Sequence, residues 1–260
     1  MATPTERKTR TIPSDSEPGS RVVSTGFFDQ FPQFADTSDT ASHPMRLNLR
    51  HQAIFGDNSD VFEGARVLDI ASHDGRWSFA ALHAGAASVV GLEGRPELVA
   101  NANQTFANHG VDPARYRFVA GDLFRTMAEE PDTFDVVLCL GFLYHTLRYN
   151  ELFARIRRLD PKHLIIDTQV AAGEHSAIRL RVEPSEHQSN AIDDDFSHDG
   201  HVLTGRPTLK GLEVMAGAYG FALERYSDWG GLLRDNKQNA EYCTAYETGV
   251  RVTARFKSTA

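Results

Sequence analysis

The chain has 260 residues, of which 41% are hydrophobic, and carries a formal net charge of −8 at pH 7. This length is sufficient for one large hydrophobic core and is compatible with a single α/β domain. No apolar run approaches the roughly 18 residues that a membrane span needs, and no apolar leader segment follows Met1, so no membrane partner is expected. Because the net charge is negative, the protein as a whole has no electrostatic attraction for nucleic acid. Cys139 and Cys243 are the only cysteines and cannot form a disulfide framework, which predicts a reduced, cytoplasmic protein.

The N-terminal region divides into a polar segment and an aromatic one. Residues 1–25 are rich in Thr, Ser, Pro and charged side chains, which predicts a disordered tail. In residues 26–60, phenylalanines at positions 27, 28, 31 and 34 predict a lid or an N-terminal helix, and a further helix is expected to begin near Pro44. We expect residues 26–260 to form one domain.

Residues 65–93 predict a strand, a turn, a helix and a second strand. The apolar run over 67–70 is typical of a buried strand. After Gly75 the apolar residues recur at helical spacing, and a second apolar run over 88–92 ends at the acidic residue Glu93. This is a βαβ unit, which places a ligand site at the carboxyl ends of its strands.

The turn of this unit, residues 71–75, indicates which ligands it accepts. A dinucleotide-binding loop needs glycine where the backbone approaches a pyrophosphate, and here only Gly75 is present. Side chains at 72–74 would crowd a pyrophosphate, and the Asp74 carboxylate would repel it. A ligand with a positive sulfonium, an amino-acid tail and a ribose has no such requirement, and Glu93 stands at the spacing expected of an acid that binds a ribose hydroxyl. The alternative is a buried βαβ crossover without a ligand.

Three further strands are predicted downstream, at 116–120, 134–140 and 163–167. The second of these is almost continuously apolar, as is typical of a central parallel strand that is covered on both faces. It is followed directly by Gly141-Phe142-Leu143-Tyr144-His145, so these residues are expected at the carboxyl end of the sheet.

Four segments of this region resemble, in order and spacing, the motifs of class I S-adenosylmethionine-dependent methyltransferases. They are VLDIASHDGRW (67–77), VVGLEG (89–94), FVAGDLF (118–124) and FDVVLCLGFLYH (134–145). The GFLYH segment is similar to the branch that includes the tRNA wobble-uridine carboxymethyltransferase and many small-molecule methyltransferases. The resemblance implies a Rossmann-like α/β fold with a seven-stranded, mostly parallel sheet, helices on both faces and an antiparallel last strand. It also implies S-adenosyl-L-methionine as cofactor and S-adenosyl-L-homocysteine as product.

By this resemblance, Glu93 would hold the ribose, and Asp122 would accept a hydrogen bond from the adenine amino group. The alternative for Asp122 is that it only caps a short helix over 123–129. Ala71 and His73 replace the first two glycines of the usual loop, and the turn from Asp69 onward would hold the amino-acid end. The expected cofactor-binding residues are Asp69, Ala71, Ser72, Gly75, Trp77, Glu93, Gly94, Asp122, Leu123, Leu140 and Gly141.

His145 is the candidate general base or acceptor-orienting residue, because the donor methyl should point toward the end of the fourth strand and histidine titrates near neutral pH. A structural histidine that bonds a backbone group is the alternative. The candidate substrate-binding residues are Arg46, Arg50 and Tyr144. The resemblance implies that either arginine meets the methionine carboxylate or an acidic substrate, and ordinary solvated arginines are the alternative.

Residues 169–206 show no strong periodicity and are much longer than a usual connection, which indicates a functional or mobile segment. In class I methyltransferases an insertion here commonly builds the acceptor pocket. The Asp and His cluster over 193–201 has residue types that bind divalent metals but lacks a ligand-like spacing, so we interpret it as a solvated acidic loop and predict no metal. Beyond it, strands over 221–226 and 248–256 are expected to complete the sheet, and 229–231 to form a loop near the acceptor site.

The leading functional hypothesis is methyl transfer by in-line displacement to a hydroxyl or amine of a small-molecule acceptor. A tRNA acceptor is the second hypothesis; the GFLYH resemblance favours it and the acidic charge disfavours it, so nucleic acid is not expected but is left open. A catalytically silent, cofactor-binding regulatory domain is the third. A monomer and a homodimer are both compatible with the sequence.

Overall fold

The computed structural model describes residues 25–36, 43–187 and 189–259. The predicted disordered tail therefore lies, except for residue 25, outside the described residues. No helix in the described part of the chain is long and apolar enough to cross a membrane.

Nine strands are present among the described residues, and seven of them form one sheet. They are β1 (Arg66–Ile70), β2 (Ser88–Glu93), β3 (Tyr116–Ala120), β4 (Val136–Leu140), β5 (His163–Gln169), β6 (Ile178–Pro184), β7 (His201–Pro207), β8 (Phe221–Tyr226) and β9 (Arg251–Ser258). The large sheet has the order β3-β2-β1-β4-β5-β9-β8, whereas β6 and β7 pair only with each other.

The strands from β3 to β5 run parallel, and β9 runs antiparallel to both β5 and β8. This arrangement confirms the predicted seven-stranded Rossmann-like sheet with an antiparallel last strand. The chain order reverses between β1 and β4, which are neighbours in the sheet. In sheets of this kind ligands bind in the crevice at the carboxyl ends of the strands beside such a reversal.

Helices cover both faces of the sheet. Their bounds are α1 (Gln33–Asp36), α2 (Pro44–Ile54), α3 (Arg76–His83), α4 (Pro96–Asn108), α5 (Leu123–Glu129), α6 (Tyr149–Arg158), α7 (Leu209–Ala218), α8 (Trp229–Asp235) and α9 (Thr244–Glu247). Helices α5, α6 and α7 pack their apolar side chains against one face, and α2, α3 and α4 pack against the other. Burial of these two apolar layers stabilises the sheet between them.

The aromatic N-terminal segment packs on α3 and on α2. Phe28 and Phe34 are fully buried. The ring of Phe31 contacts Phe79 of α3 at a centroid distance of 4.8 Å, and Phe27 stacks on His51 of α2 at 4.5 Å. Burial, followed by the nearby His83, lowers the pKa of His51 to about 4, so this histidine is neutral at pH 7 and belongs to the packing.

The segment 169–206, in which the sequence shows no strong periodicity, contains most of the antiparallel hairpin of β6 and β7. Two sequence-based expectations about the C-terminal half are wrong. The last strand begins at Arg251, three residues later than expected. Residues 229–231 open helix α8 instead of forming a loop at the acceptor site, and Trp229 is buried against Tyr246 because its ring stacks there at 3.6 Å.

Candidate active site

A cavity of about 570 Å³ lies at the carboxyl ends of the central strands. Its size is within the range of small-molecule sites. Most of the residues that the sequence singled out line it, namely Arg46, Arg50, Ala71, Trp77, Glu93, Gly94, Asp122, Leu123, Leu140, Gly141, Tyr144 and His145. The structure therefore brings residues from four strand ends and from α2 together around one space.

Asp69, Ser72 and Gly75 do not line the cavity and instead lie beneath it. Asp69 accepts a hydrogen bond from the Ser78 hydroxyl at 2.8 Å. Burial raises the pKa of Asp69 to about 7, although the bond from Ser78 acts in the opposite direction. Gly75 begins α3 with a φ of 78°, and a Cβ atom there would lie 2.9 Å from the Phe118 ring. These three residues shape the loop, and they are not expected to touch a ligand directly.

The loop after β1 holds left-handed conformations without the usual glycines. Ala71 has a φ of 56° and His73 a φ of 54°, both in the region that favours glycine. Two hydrogen bonds hold this geometry: the Ser72 N–H donates to the Leu92 carbonyl, and the His73 N–H donates to the side-chain carboxylate of Glu93, each at 2.9 Å. Ala71 and His73 thus stand where the usual methyltransferase loop would have its first two glycines, and the turn is still formed.

Asp74 does not face the cavity, so the expectation that it would repel a pyrophosphate is wrong. The residue is 1% exposed, and Arg76 donates to it at 2.6 and 2.7 Å. Burial alone would raise the pKa of Asp74, but Arg76 and His73 outweigh it and hold the pKa well below its ordinary value. The carboxylate is neutralised inside the fold, and the exclusion of a pyrophosphate would have to come from other groups.

Two acids stand at one end of the cavity. Glu93 is 4% exposed, and its carboxylate accepts the backbone N–H of His73 at 2.9 Å and of Arg95 at 3.0 Å, one on each oxygen. Asp122 accepts the backbone N–H of Arg125 at 2.7 Å and thereby caps α5. Asp122 also lines the cavity, so the capping role and a ligand-facing position coexist in one residue.

His145 ends a short 3-10 turn directly after β4 and faces the same cavity. Its Nδ1 lies 2.7 Å from a carboxylate oxygen of Glu183, a residue of β6. Because a carboxylate only accepts hydrogen bonds, Nδ1 carries the proton and Nε2 of the neutral ring is left as an acceptor. Burial raises the pKa of Glu183, but the bond from His145 outweighs this and lowers it below its ordinary value.

The opposite end of the cavity is basic. Arg50 and Arg251 line it, and both pair with the fully buried Asp167 of β5, at 3.1 and 2.5 Å. The hydroxyls of Thr253 and Tyr246 donate to the second oxygen of Asp167 at 2.7 and 2.9 Å. Burial alone would raise the pKa of Asp167, but the two arginine charges outweigh it, so the pKa lies well below its ordinary value.

The insertion between β5 and α7 closes one side of the cavity. Arg148 reaches from the start of α6 to Asp194 at 3.2 Å, and its guanidinium lies over the Phe124 ring at 3.7 Å. Ile192 approaches Gly94 so closely that a Cβ atom there would lie 2.4 Å from its side chain. Among the described residues, no group of three or more His, Cys, Asp or Glu side chains is arranged to hold a metal ion.

Sequence reasoning missed Asp167, Glu183, Arg148 and Arg251. Asp167 and Arg251 are adjacent only because β5 pairs with β9. Glu183 had a recognisable signal, since charged residues alternate with Ile178, Leu180 and Val182 along β6. That alternation predicts a strand with one polar face.

Comparisons with known proteins agree with this geometry. Residues 67–160 match the family model described as a methyltransferase domain. A stretch of 72 residues is 43% identical to the 23S rRNA (uracil(1939)-C(5))-methyltransferase RlmD of Shewanella amazonensis. That match covers 28% of this chain and spans only 16% of the length of the curated relative.

Two solved structures share the fold at low sequence identity. The N-terminal domain of EvdMO1, solved with S-adenosylhomocysteine bound, has a TM-score of 0.56 and 19% identity, covering 81% of this chain and 80% of that one. An S-adenosylmethionine-dependent methyltransferase of Mesorhizobium loti has a TM-score of 0.54 and 15% identity, covering 76% and 92%. Residues 67–160 are thus similar to a methyltransferase domain, and the two solved structures show the same fold over most of the chain.

Proposed function

We propose that this chain transfers the methyl group of S-adenosylmethionine to a hydroxyl or amine of a small-molecule acceptor. The observation that carries the proposal is the pair of His145 and Glu183, with 2.7 Å between Nδ1 and the carboxylate, at the tip of β4 inside the cavity. A histidine oriented by a carboxylate is suited to remove a proton from an attacking oxygen or nitrogen.

The residues around the cavity fit an adenosine sulfonium. Each Glu93 oxygen accepts one backbone N–H and has capacity for a further bond, which suits the two ribose hydroxyls. Asp122 and the backbone at Leu123 would meet the adenine, and the loop at Ala71 would meet the amino-acid end. When bound, the sulfonium supplies an electrophilic methyl group. The chain's own contribution is to position the acceptor in line with that methyl, which is worth several kcal/mol of barrier, about 7–11 in the most favourable cases.

His145 completes the reaction by taking the acceptor proton on Nε2. The acceptor would lose its proton to the imidazole as its bond to the methyl carbon forms and the carbon–sulfur bond breaks, leaving S-adenosylhomocysteine and an imidazolium. Glu183 holds the ring in the required tautomer and stabilises this positive charge. Because Glu183 belongs to β6, the insertion supplies part of the proton-transfer apparatus in addition to a wall of the cavity.

An RNA acceptor is the second candidate, favoured by the local match to an rRNA uracil-C5 methyltransferase. The C5 atom of uracil is a weak nucleophile that thiolate addition to the ring can activate. Burial raises the pKa of Cys139 to about 12 and that of Cys243 to about 11, so neither provides a thiolate at neutral pH. The net charge of −8 also opposes phosphate binding.

The deciding experiment combines the protein with methyl-labelled cofactor and a fractionated cell extract, followed by identification of the labelled product. We expect a low-molecular-weight product. Label in RNA, together with a gel shift that weakens steeply with salt, would favour the second candidate. Tight S-adenosylhomocysteine binding without transfer to any fraction would contradict enzymatic function and support a regulatory domain.

Variants test the assigned roles once a product is known. We expect His145→Gln to lower kcat by about 10²–10⁴. Glu183→Gln should lower kcat less, because the imidazolium formed in the reaction loses its neighbouring negative charge. His201→Gln, an exposed histidine in the same hairpin, serves as the control. Equal activity of all three variants would show that His145 and Glu183 do not take part in proton transfer.

A further inference from the structure

The basic end of the cavity carries more positive charge than the surrounding fold requires. Arg50 and Arg251 both pair with the single carboxylate of Asp167. Each oxygen of Asp167 already accepts two hydrogen bonds, from the two arginines on one side and from Thr253 and Tyr246 on the other. This carboxylate therefore has no further capacity, and the two guanidinium groups leave an excess of one buried positive charge.

Arg50 also has unused hydrogen-bonding capacity. Its side chain is 7% exposed, and its Nε is buried without a hydrogen-bond partner among the described residues. Leaving a buried charged donor unsatisfied costs on the order of 1–3 kcal/mol or more. Arg50 also lines the cavity, so an anion bound there would meet its guanidinium group.

A third guanidinium, that of Arg46, lies one helical turn before Arg50 and lines the same end. Burial, followed by the charge of Arg50, lowers the pKa of Arg46, and Arg251 acts in the same direction. Like charges that destabilise one another in a partly dehydrated space are stabilised together by a shared anion.

The position of Arg251 indicates that an anion bound at the basic end belongs to the methyl acceptor and not to the cofactor. Arg251 belongs to β9, whereas Glu93 ends β2 and Asp122 follows β3, on the other side of the order reversal. Its Nη1 donates to the Tyr144 hydroxyl at 3.1 Å. The Tyr144 ring also contacts the His145 ring at 4.2 Å, so the basic group and the proposed base adjoin the same tyrosine.

We propose that Arg46, Arg50, Arg251 and Tyr144 bind a carboxylate of the methyl acceptor, which makes the acceptor a small hydroxy- or amino-carboxylic acid. This inference rests on the proposed methyl transfer and names its substrate class. The carboxylate is held by the arginines, and the hydroxyl or amine to be methylated lies toward His145. A planar carboxylate suits the fork of the guanidinium group, which donates two parallel hydrogen bonds.

The test measures binding of matched acids and amides to protein saturated with S-adenosylhomocysteine. The probes are lactate, mandelate, 3-hydroxybenzoate and anthranilate, each paired with its primary amide, observed by saturation-transfer NMR and titration. We expect at least one acid to bind ten-fold or more tightly than its amide. Acids that bind no better than amides would overturn the inference, whereas absence of S-adenosylhomocysteine binding to the unmodified protein would instead refute the proposed function.

Variants distinguish a carboxylate of the acceptor from the carboxylate of the cofactor. Arg46→Gln should lower the affinity for the acid at least ten-fold and change the affinity for S-adenosylhomocysteine less than three-fold. Tyr144→Phe keeps the aromatic ring but loses the hydroxyl, so it should also lower the affinity for the acid. Arg125→Gln removes one exposed arginine on α5 and is the charge control. Ten-fold loss of S-adenosylhomocysteine affinity in Arg46→Gln with unchanged acid binding would assign the arginine to the cofactor and overturn the inference.

Discussion

Replacing Asp167 by Asn should destabilise the protein more than any other isosteric change at the site. Asp167 is fully buried and pairs with Arg50 and Arg251 at 3.1 and 2.5 Å. The Asn side chain keeps the shape but leaves both guanidinium groups without a counter-charge. Breaking a buried ion pair in this way costs about 3–5 kcal/mol. At about 2–4 °C per kcal/mol for a chain of this size, Tm should fall by about 6–20 °C.

Thermal and urea unfolding at pH 7 measure this effect, with Asp60→Asn as the matched control. Asp60 pairs with Arg255 at 2.7 Å, but its side chain is 60% exposed, so its loss should cost less than about 1 kcal/mol. The pKa of Asp167 is depressed in the fold, so its contribution is present above the ordinary pKa near 4 and is lost as pH falls below that value. A variant that melts within about 3 °C of the unmodified protein would refute this account of the basic end.

Three further outcomes are expected. Glu93→Ala should weaken S-adenosylhomocysteine binding in calorimetry, and unchanged affinity would reject the ribose assignment. Because burial raises the pKa of Asp69 to about 7, stability should fall as pH rises from about 4 to 7, and Asp69→Asn should remove this part of the decline in urea unfolding. With pKa values of about 12 and 11, Cys139 and Cys243 should resist alkylation at pH 8 until the protein is unfolded; rapid labelling of native protein would contradict their burial.

The acidic half of the site could be predicted from the sequence because each of its residues lies at the end of a strand or within two residues of it. Glu93 ends β2, Asp122 stands two residues after β3, and Gly141 follows β4. Apolar runs locate buried strands, and parallel strands bring their carboxyl ends to one edge of the sheet. The positions of these residues therefore depend only on local patterns and on the order of the strands.

The basic half could not be predicted because its contacts join distant parts of the chain. Arg50 and Asp167 are 117 positions apart, and Arg251 and Asp167 are 84 apart. In a sequence, a buried arginine on an amphipathic helix has the same appearance as a solvated one. Arg251 becomes significant only through the antiparallel register that sets Thr253 opposite Asp167.

The hairpin of β6 and β7 shows why burial patterns alone would have misplaced Glu183. Leu180 and Val182 are 60% and 61% exposed, whereas Glu183 is 8% exposed and faces His145. The usual rule turns apolar residues of a strand toward the core, and here the polar residue points inward. Such an inversion has a physical reason when the inward side is a polar cavity and not a hydrophobic core. Arg179 and Arg181 alternate with the same apolar residues and are exposed, so the inward position is specific to Glu183 and coincides with its contact to His145.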